Sequence, residues 1–305
     1  MDFVLSELCD QVMTARAGHK PLFVMGGGSK AFYGNYRPVT PQDGHCLLDM
    51  TPYRGIVSYH PSELVVTVRA GTPLAELEAA LAENGQMLAF EPPHFSASAT
   101  VGGCVAAGLS GPRRMSAGAL KDFVLGAQLL DSEGRILSFG GEVMKNVAGY
   151  DVSRLLAGSH GIFGAILEVS LKVVPRPMEE ITLTLPATQA QALAGFALWR
   201  GKPLPISATS WSGAGDDGEG EMMVRLSGAP PAIAGARQLI GGTPMAPEAG
   251  AAWWRSLREQ THAYFAPGQP LWRLALPPTA AALGLGPTLL EWGGGQRWLS
   301  GEYDA

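Results

Sequence analysis

The stretch Met25-Gly26-Gly27-Gly28-Ser29-Lys30 is the most informative feature of this chain. It follows the apolar run Leu22 to Met25, which predicts a strand that delivers a loop of three glycines. Glycines tolerate tight backbone conformations, and consecutive amides in such a turn can form a concave site for a phosphate. The loop is therefore either an anion site or only a turn, and the loop alone does not decide between them.

Neither common nucleotide-binding loop fits the residues after the glycines. A dinucleotide fingerprint opens a helix directly after its glycines, whereas residues 31–38 show no helical period and end in Pro38. A P-loop continues Gly-Lys-Ser/Thr, whereas Lys30 follows Ser29 and precedes Ala31. If the loop binds a pyrophosphate, it belongs to neither the Rossmann type nor the P-loop type.

Size and composition narrow the class of protein. A chain of 305 residues holds two domains of ordinary size, and its 22 basic and 27 acidic side chains, without a long run of either sign, argue against a nucleic-acid partner. Cys9, Cys46 and Cys104 match neither a disulfide framework nor a CxxC metal or iron–sulfur site. The acidic N-terminus and the lack of a long apolar run lead us to expect a cytoplasmic protein without a signal peptide.

The first 176 residues show strand and helix signals in alternation. We expect a helix from Thr72-Pro73, with Thr72 as its N-cap, to Asn84-Gly85. A hairpin is predicted for 123–130 and 136–139, and a half-buried strand for 167–173. The segment 100–111 consists mostly of small residues, which allow a close approach of the backbone, and a further glycine cluster lies at 158–164.

A second domain is predicted for residues 177–305, where the composition changes to Ala, Pro and Trp. Its element order is strand 181–185, helix 189–199, strands 206–211 and 221–226, helix 233–240, a further helix near 253–264, and a last strand at 271–276. That order is typical of a split β-α-β unit, so we expect an α+β domain of ferredoxin-like character.

One extended ligand would explain three glycine-rich segments in one domain. In this order and spacing they resemble the FAD-binding domain of the vanillyl-alcohol oxidase family. The segments EPPHFSASATVGGCVAAGLSGPRR, LKDFVLGAQLL, GGEVMKNVAGYDVSRLLAGS and LEVSLKVVPRP are similar to the family of FAD-binding E subunits of bacterial glycolate oxidases. The resemblance covers about residues 22–177 and implies an α+β fold, with a PCMH-type FAD-binding domain at 1–176 and a smaller cap domain at 177–305.

The resemblance also implies which residues bind FAD. The first loop would hold the pyrophosphate through backbone N–H groups, the second segment would run along the flavin and phosphates, and the third would contact the adenine end with backbone groups. The residues implied are Gly26, Gly27, Gly28, Ser29, Lys30, Pro93, Thr100, Val101, Gly102, Gly103, Ala107, Gly108, Gly161 and Ile166. In the third segment His160, Ile162 and Phe163 depart from the family pattern.

We expect the FAD to be bound without a covalent link. The first loop has no His, Cys or Tyr, and His94 and Cys104 are interpreted as a packed imidazole and a small buried side chain. No metal site is predicted, since His262 is the only histidine of the second domain.

The sequence indicates a substrate-binding site less clearly than it indicates the FAD site. Arg113, Arg114, Lys145 and Tyr150 in the first domain, and Arg255 and Arg273 in the second, could hold a carboxylate. For each of them, phosphate contact, surface charge or a core hydrogen bond is the plainer interpretation. The catalytic residues therefore stay unassigned.

Three functions stay open. The first is an FAD-carrying subunit of a glycolate-oxidising complex, partnered by a catalytic FAD subunit and an iron–sulfur subunit and associated with the inner membrane only through them. The second is a separate flavin dehydrogenase for another small 2-hydroxy acid, and the third is a structural subunit without turnover. Nothing after Trp298 resembles the family's usual return to the flavin domain, so we expect a cap that is either truncated or naturally short.

Overall fold

The computed structural model describes residues 3–34, 44–141, 150–213, 218–266 and 268–303. The helices are α1 (Phe3–Ala17), α2 (Leu74–Glu83), α3 (Val101–Ala107), α4 (Arg114–Ala117), α5 (Val152–Leu155), α6 (Gln189–Arg200), α7 (Pro230–Ile240) and α8 (Pro247–Arg258). The strands are β1 (Leu22–Met25), β2 (Cys46–Asp49), β3 (Ile56–His60), β4 (Val65–Arg69), β5 (Gln86–Met87), β6 (Val124–Leu130), β7 (Ile136–Gly140), β8 (Ala165–Lys172), β9 (Val174–Pro175), β10 (Glu179–Ala187), β11 (Ile206–Gly213), β12 (Gly220–Gly228), β13 (Thr243–Pro244), β14 (Leu271–Ala275), β15 (Thr288–Glu291) and β16 (Gln296–Ser300).

The chain divides into two compact units. The first contains Met1–Ser110 and Ala119–Arg176, and the second contains Gly111–Gly118 and Pro177–Ala305. The second unit thus begins after Arg176, where the composition changes, but it also takes the eight residues from Gly111 to Gly118 out of the first half of the chain. A single domain boundary between residues 176 and 177 does not describe that arrangement.

The first unit is built on a five-stranded antiparallel sheet in the order β3-β4-β8-β6-β7. Strand β8 is the central strand, and six of its eight residues are buried, because its two neighbours and the layers on both faces cover it. A separate parallel pair, β1-β2, carries the glycine loop at the end of β1. Helix α1 packs Leu8 and Val12 against Leu48 of this pair.

Two local predictions for the first unit are confirmed. Strands β6 and β7 pair antiparallel from Leu130↔Ile136 to Gly126↔Gly140, which is the expected hairpin. Helix α2 buries Leu74, Leu77 and Leu81 on one face, as its spacing indicates.

One detail of that helix was predicted wrongly. The N-cap of α2 is Pro73 and not Thr72, and no side chain caps the helix. The Thr72 hydroxyl instead accepts a hydrogen bond from the Gly55 amide at 2.8 Å. A polar side chain near a helix start can therefore serve a neighbouring loop.

The short helix α3 was not predicted, although its start carries a signal. Thr100 is the N-cap, and its hydroxyl accepts a hydrogen bond from the Gly103 amide at 3.3 Å. Helix α3 contains two glycines and two alanines, which obscure any apolar period. Gly108 ends it with a φ of 66°, a conformation that suits glycine.

The second unit has ferredoxin-like topology, as expected. Its β-α-β-β-α-β order, β10-α6-β11-β12-α7-β13, gives the antiparallel sheet order β13-β10-β12-β11. The fourth strand is Thr243–Pro244, and the predicted strand at 271–276 instead pairs with β16 at the far edge of an extension formed by β15, β16 and β14. The fourth strand is only two residues long, so it has no readable period.

The core of the second unit lies on both faces of its sheet. One cluster joins Trp211, Met222 and Val224 to residues of α6 and α7, and the other joins Met223 to Trp254 and Leu257 of α8. Because successive strand residues point to opposite faces, adjacent Met222 and Met223 serve different clusters.

Candidate functional site

A cavity of about 570 Å³ lies inside the first unit, beyond the end of β1. Three chain segments that are far apart in the sequence line it: residues 23–34, residues 100–107 and residues 160–166. Met50 and Ala70 add to its wall. The three glycine-rich segments therefore do converge on one cavity.

The first loop makes two successive tight turns. The Ala31 amide donates to the Gly28 carbonyl at 3.1 Å, and the Tyr33 amide donates to the Lys30 carbonyl at 3.0 Å. No helix follows the glycines as far as Gly34, in agreement with the exclusion of a Rossmann loop, and residues 35–38 lie outside the described residues. Among the described residues, the amides of Gly26 to Ser29 donate no hydrogen bond to the protein. Four consecutive unused donors at a cavity wall form a site suited to an anion.

Packing against the second segment explains two of these glycines. A Cβ on Gly27 would lie 1.5 Å from the Ser98 carbonyl oxygen, and one on Gly26 would lie 2.3 Å from the Thr100 hydroxyl oxygen. The Ser98 hydroxyl also donates to the Gly27 carbonyl at 2.6 Å. The loop is thus held against the start of α3, and no side chain fits in between.

The other two segments are joined in the same manner. A Cβ on Gly108 would lie 2.8 Å from the Gly158 backbone, and one on Gly102 would lie 2.5 Å from the Ala70 Cβ. The Gly158 amide donates to the Val105 carbonyl at 3.0 Å, and the His160 amide donates to the Ala106 carbonyl at 2.9 Å. Gly108 therefore holds two segments together and does not line the cavity.

Known proteins share this arrangement. The family model of an FAD binding domain matches residues 5–140. Glycolate oxidase subunit GlcE of Escherichia coli is 45% identical over 96% of this chain, and the match covers 79% of that protein. This chain belongs to the family of glycolate oxidase subunit GlcE. The site of this GlcE-family chain is accordingly that of an FAD-binding domain.

More distant relatives match a smaller part. Glycolate oxidase subunit GlcD of Bacillus subtilis is 29% identical over 57% of this chain, and the match spans only 36% of that longer protein. A solved alkyldihydroxyacetonephosphate synthase superposes with a TM-score of 0.70 at 18% identity, covering 88% of the GlcE-family chain and 56% of the synthase. This likeness shows the shared PCMH-type fold.

Most of the residues implied for FAD binding line the cavity. These are Gly26, Gly27, Gly28, Ser29, Lys30, Thr100, Gly102, Gly103, Ala107, Gly161 and Ile166. Pro93, Val101 and Gly108 are not among the lining residues. Val101 is 1% exposed in the core beneath α3, so its side chain contributes packing.

The cavity wall fits an FAD. The four unused amides offer donors for a pyrophosphate, and Lys30 is the only lysine or arginine on the described wall. Its ammonium group donates to the Ser29 hydroxyl at 3.3 Å and the His94 carbonyl at 3.4 Å, and it lies 5.7 Å from the centre of the Phe95 ring. These contacts hold the positive charge next to the loop.

Neither suspected covalent attachment residue lines the described cavity. Cys104 is fully buried, and burial raises the pKa of its thiol to about 12, so the thiol is protonated at neutral pH. The His94 Nε2 atom lies 3.1 Å from a Glu78 carboxylate oxygen and is committed to that contact. FAD binding without a covalent link stays a prediction.

Arg113, the first of the carboxylate-anchor candidates, already holds a protein carboxylate. Its guanidinium lies 2.7 Å from a Glu180 oxygen and donates to the Ser227 hydroxyl at 3.3 Å, within the second unit. Ser227 donates to the same Glu180 oxygen at 2.7 Å, and Arg225 lies 3.9 Å from it. Arg113 is therefore a buried charge paired with Glu180, an environment that none of the plainer interpretations from the sequence described.

The other described candidates lie away from the cavity wall. Arg114 lies over the Trp292 ring at 4.5 Å, Arg255 and Arg273 are exposed, and Tyr150 is 96% exposed. Lys145 lies outside the described residues. None of the four described ones lines the cavity.

His262 has a structural environment. Its Nδ1 atom accepts a hydrogen bond from the Tyr264 amide at 3.2 Å, and its ring meets Trp253 edge to face at 4.7 Å. Burial lowers the pKa of this imidazole. Within the described part of the chain, no three His, Cys, Asp or Glu side chains come together as a metal site, and no helix there is long and apolar enough to cross a membrane.

Sequence reasoning missed several wall residues. They are Phe23, Val24, Met25, Ala31, Tyr33, Gly34, Met50, Ala70, Ala106 and His160. His160 was noted only as a departure from the family pattern, and that departure was the one available signal. Met50 and Ala70 lie in other segments, and only the fold brings them to the cavity.

Proposed function

We propose that this chain is the FAD-carrying subunit of a multi-subunit glycolate oxidase. In this proposal it holds a flavin while a related FAD subunit oxidises glycolate to glyoxylate and an iron–sulfur subunit receives the electrons. The 45% identity to glycolate oxidase subunit GlcE, over 96% of this chain and 79% of that protein, supports the assignment. The proposal includes a cytoplasmic location, with membrane association only through the partner subunits.

Each part of the cavity has a task in this proposal. The amides of Gly26 to Ser29 bind the pyrophosphate, and Lys30 adds a positive charge beside it. Gly102, Gly103 and Ala107 let the helix α3 backbone approach the ligand. When bound, FAD supplies the redox chemistry. The chain's own residues bind it, orient it and keep water from one side.

An accessory role fits the rest of the molecule. The described cavity wall offers no second cation, besides Lys30, that would hold a substrate carboxylate. The alternative of a separate dehydrogenase used Arg113 or Lys145 as the anchor: Arg113 forms an ion pair with Glu180, and Lys145 lies outside the described residues. We therefore place substrate oxidation in the related subunit.

The pair Gly28→Asp and Gly28→Asn tests the pyrophosphate site. Gly28 has a φ of 69°, which Asp and Asn tolerate better than most residues, and a Cβ there would have only the Met25 sulfur within 4 Å, at 3.9 Å. The two side chains differ in charge but hardly in shape. We expect G28D to bind FAD about a hundredfold more weakly than G28N, measured by titrating the apoprotein and following flavin fluorescence. Equal affinities would show that no anion lies at this loop.

Anaerobic reduction tests the division of labour. The purified chain loaded with FAD should keep its flavin absorption when glycolate is added, and should lose it when the catalytic subunit is added too. Bleaching by glycolate at a catalytic rate without a partner would overturn the accessory role. A complex that assembles and turns over equally well with G28D, after its FAD is lost, would support a purely structural subunit instead.

A further inference from the structure

Two aromatic side chains from different segments meet at the cavity wall. The rings of Tyr33 and His160 have their centres 5.5 Å apart and their planes tilted by 39°. Both residues line the cavity, with Tyr33 half-buried and His160 more exposed. The resemblance assigned no role to either side chain.

The backbone presents both rings in defined places. The Tyr33 amide is tied to the Lys30 carbonyl at 3.0 Å, so the ring follows one turn after the proposed pyrophosphate loop. His160 has a φ of 51°, unusual for a residue other than glycine, and its amide is tied to the Ala106 carbonyl at 2.9 Å. A strained backbone at a cavity wall indicates that the direction of the side chain matters there.

The spacing of the rings determines how a ligand could use them. Stacked aromatic carbons approach to about 3.5 Å, so two rings must be about 7 Å apart to hold a third between them. At 5.5 Å the pair cannot do so. Instead, Tyr33 and His160 offer two neighbouring aromatic rings on the wall, against which a flat ring can pack from the cavity side.

The geometry points to a stacking surface formed by Tyr33 and His160 for one of the two planar ring systems of FAD. The anion site at Gly26 to Ser29 holds the middle of the dinucleotide, and a planar ring is attached on each side of that middle. The inference rests on the proposed function, because it needs FAD in this cavity. It makes these two side chains determinants of cofactor affinity, in addition to the backbone contacts that the resemblance implies.

Substitutions at both positions test the surface. Aromatic stacking on a base is lost on truncation to alanine, so Tyr33→Ala and His160→Ala should each weaken FAD binding by about ten- to a hundredfold. Tyr33→Phe and His160→Phe keep a π face and should stay within about threefold of the original protein. FAD titration of each apoprotein, followed by fluorescence quenching, gives the dissociation constants.

Two neighbours are matched controls. Phe32 and Ile162 are 62% and 77% exposed and do not line the cavity, so Phe32→Ala and Ile162→Ala should leave FAD affinity unchanged. Thermal unfolding of every apoprotein detects variants that fail to fold.

Two smaller ligands identify the ring. Titration with FMN and with ADP separates the isoalloxazine from the adenine, since each ligand contains only one of them. Loss of affinity confined to ADP would show that the surface holds the adenine, and loss confined to FMN would show that it holds the isoalloxazine. Alanine variants that bind all three ligands like the original protein would overturn the inference. If G28D and G28N also bind FAD alike, the placement of FAD in this cavity fails as well, whereas a clear difference between them leaves the proposed function intact.

Discussion

The two units use their polar groups in opposite ways. In the first, the amides of Gly26 to Ser29 have no acceptor among the described residues and face a cavity. In the second, the charge of Glu180 is met by Arg113, Arg225 and Ser227, and the fully buried Arg297 donates to three backbone carbonyls. Unused donors at a cavity prepare a ligand site, whereas mutually paired charges stabilise a fold. The glycine loop of the first unit is therefore arranged for a ligand, whereas these charges of the second unit stabilise its packing.

The largest effect on FAD binding is expected from a substitution of Gly27. In Gly27→Ala the new Cβ would lie 1.5 Å from the Ser98 backbone oxygen, so the loop must move away from α3. We expect the purified protein to lose its FAD absorption, with an affinity reduced by more than about a hundredfold. Gly141→Ala, where a Cβ meets nothing within 4 Å, is the control and should keep its FAD. Full FAD binding by G27A would show that the loop does not need this close approach.

Arg113→Ala addresses the charge pairs of the second unit. The Arg113 side chain is 9% exposed, and its removal takes the closest cation away from the Glu180 carboxylate. We expect a loss of about 2 to 4 kcal/mol in unfolding free energy, measured by urea denaturation, and no change in FAD affinity. The exposed Arg237 of α7 is the control, since Arg237→Ala should cost less than about 0.5 kcal/mol. Unchanged stability together with weaker binding of a hydroxy acid would make Arg113 a substrate residue after all.

Replacing Glu291 of the second unit by glutamine should change how the stability of the protein depends on pH. Burial raises the pKa of its carboxyl group, although hydrogen bonds from Trp298 at 2.7 Å and Gln296 at 2.8 Å to one oxygen oppose the shift. The folded protein thus holds the proton more tightly than the unfolded chain, so this group lowers stability as the pH rises from the ordinary pKa of glutamate through the raised one. Glu291→Gln keeps an oxygen for both donors and removes this titration. Urea denaturation from pH 4 to pH 8 should show its stability advantage growing with pH and then levelling off, and an advantage that shrank with pH would refute the assignment.

The smallest expected effect is a stabilisation by Gly235→Ala, in contrast to the loss of FAD binding expected for Gly27→Ala. Gly235 lies inside α7, and a Cβ there would meet nothing within 4 Å. Gly235→Ala should raise the unfolding free energy by about 0.5 to 1 kcal/mol, because alanine favours the helix. The same substitution is thus expected to abolish a function at Gly27 and to stabilise the fold at Gly235, and a destabilised G235A would show that contacts outside the described residues restrict this position.

Some elements of this fold were readable from the sequence because their signals are local. The α2 helix and the β6-β7 hairpin follow from the spacing of a few adjacent residues, and both are confirmed. Helix α3 was missed because its small side chains carry no period. The strand at 271–276 was recognised but assigned to the wrong place, since its partner β16 lies about 25 residues away and pairing is a long-range choice.

In the candidate site, too, residues with a local sequence signal were predicted, whereas residues placed by long-range contacts were not. Gly26 to Lys30, Thr100, Gly102 and Gly161 were predicted, and all of them line the cavity. Gly108 was expected at the ligand but packs against Gly158. Arg113 could be understood only with Glu180, which lies 67 residues further along the chain.

From the sequence alone, the resemblance of the glycine segments to a known family implied an FAD-binding domain of α+β fold, and the order of strand and helix periods predicted a ferredoxin-like domain after it. The fold was needed to show which glycines meet backbone and which line a cavity, that Gly111–Gly118 belongs to the second unit, and that Tyr33 and His160 meet at the cavity wall. These features depend on contacts between residues up to more than a hundred positions apart. Folding brings such residues together, and no local pattern records that they meet.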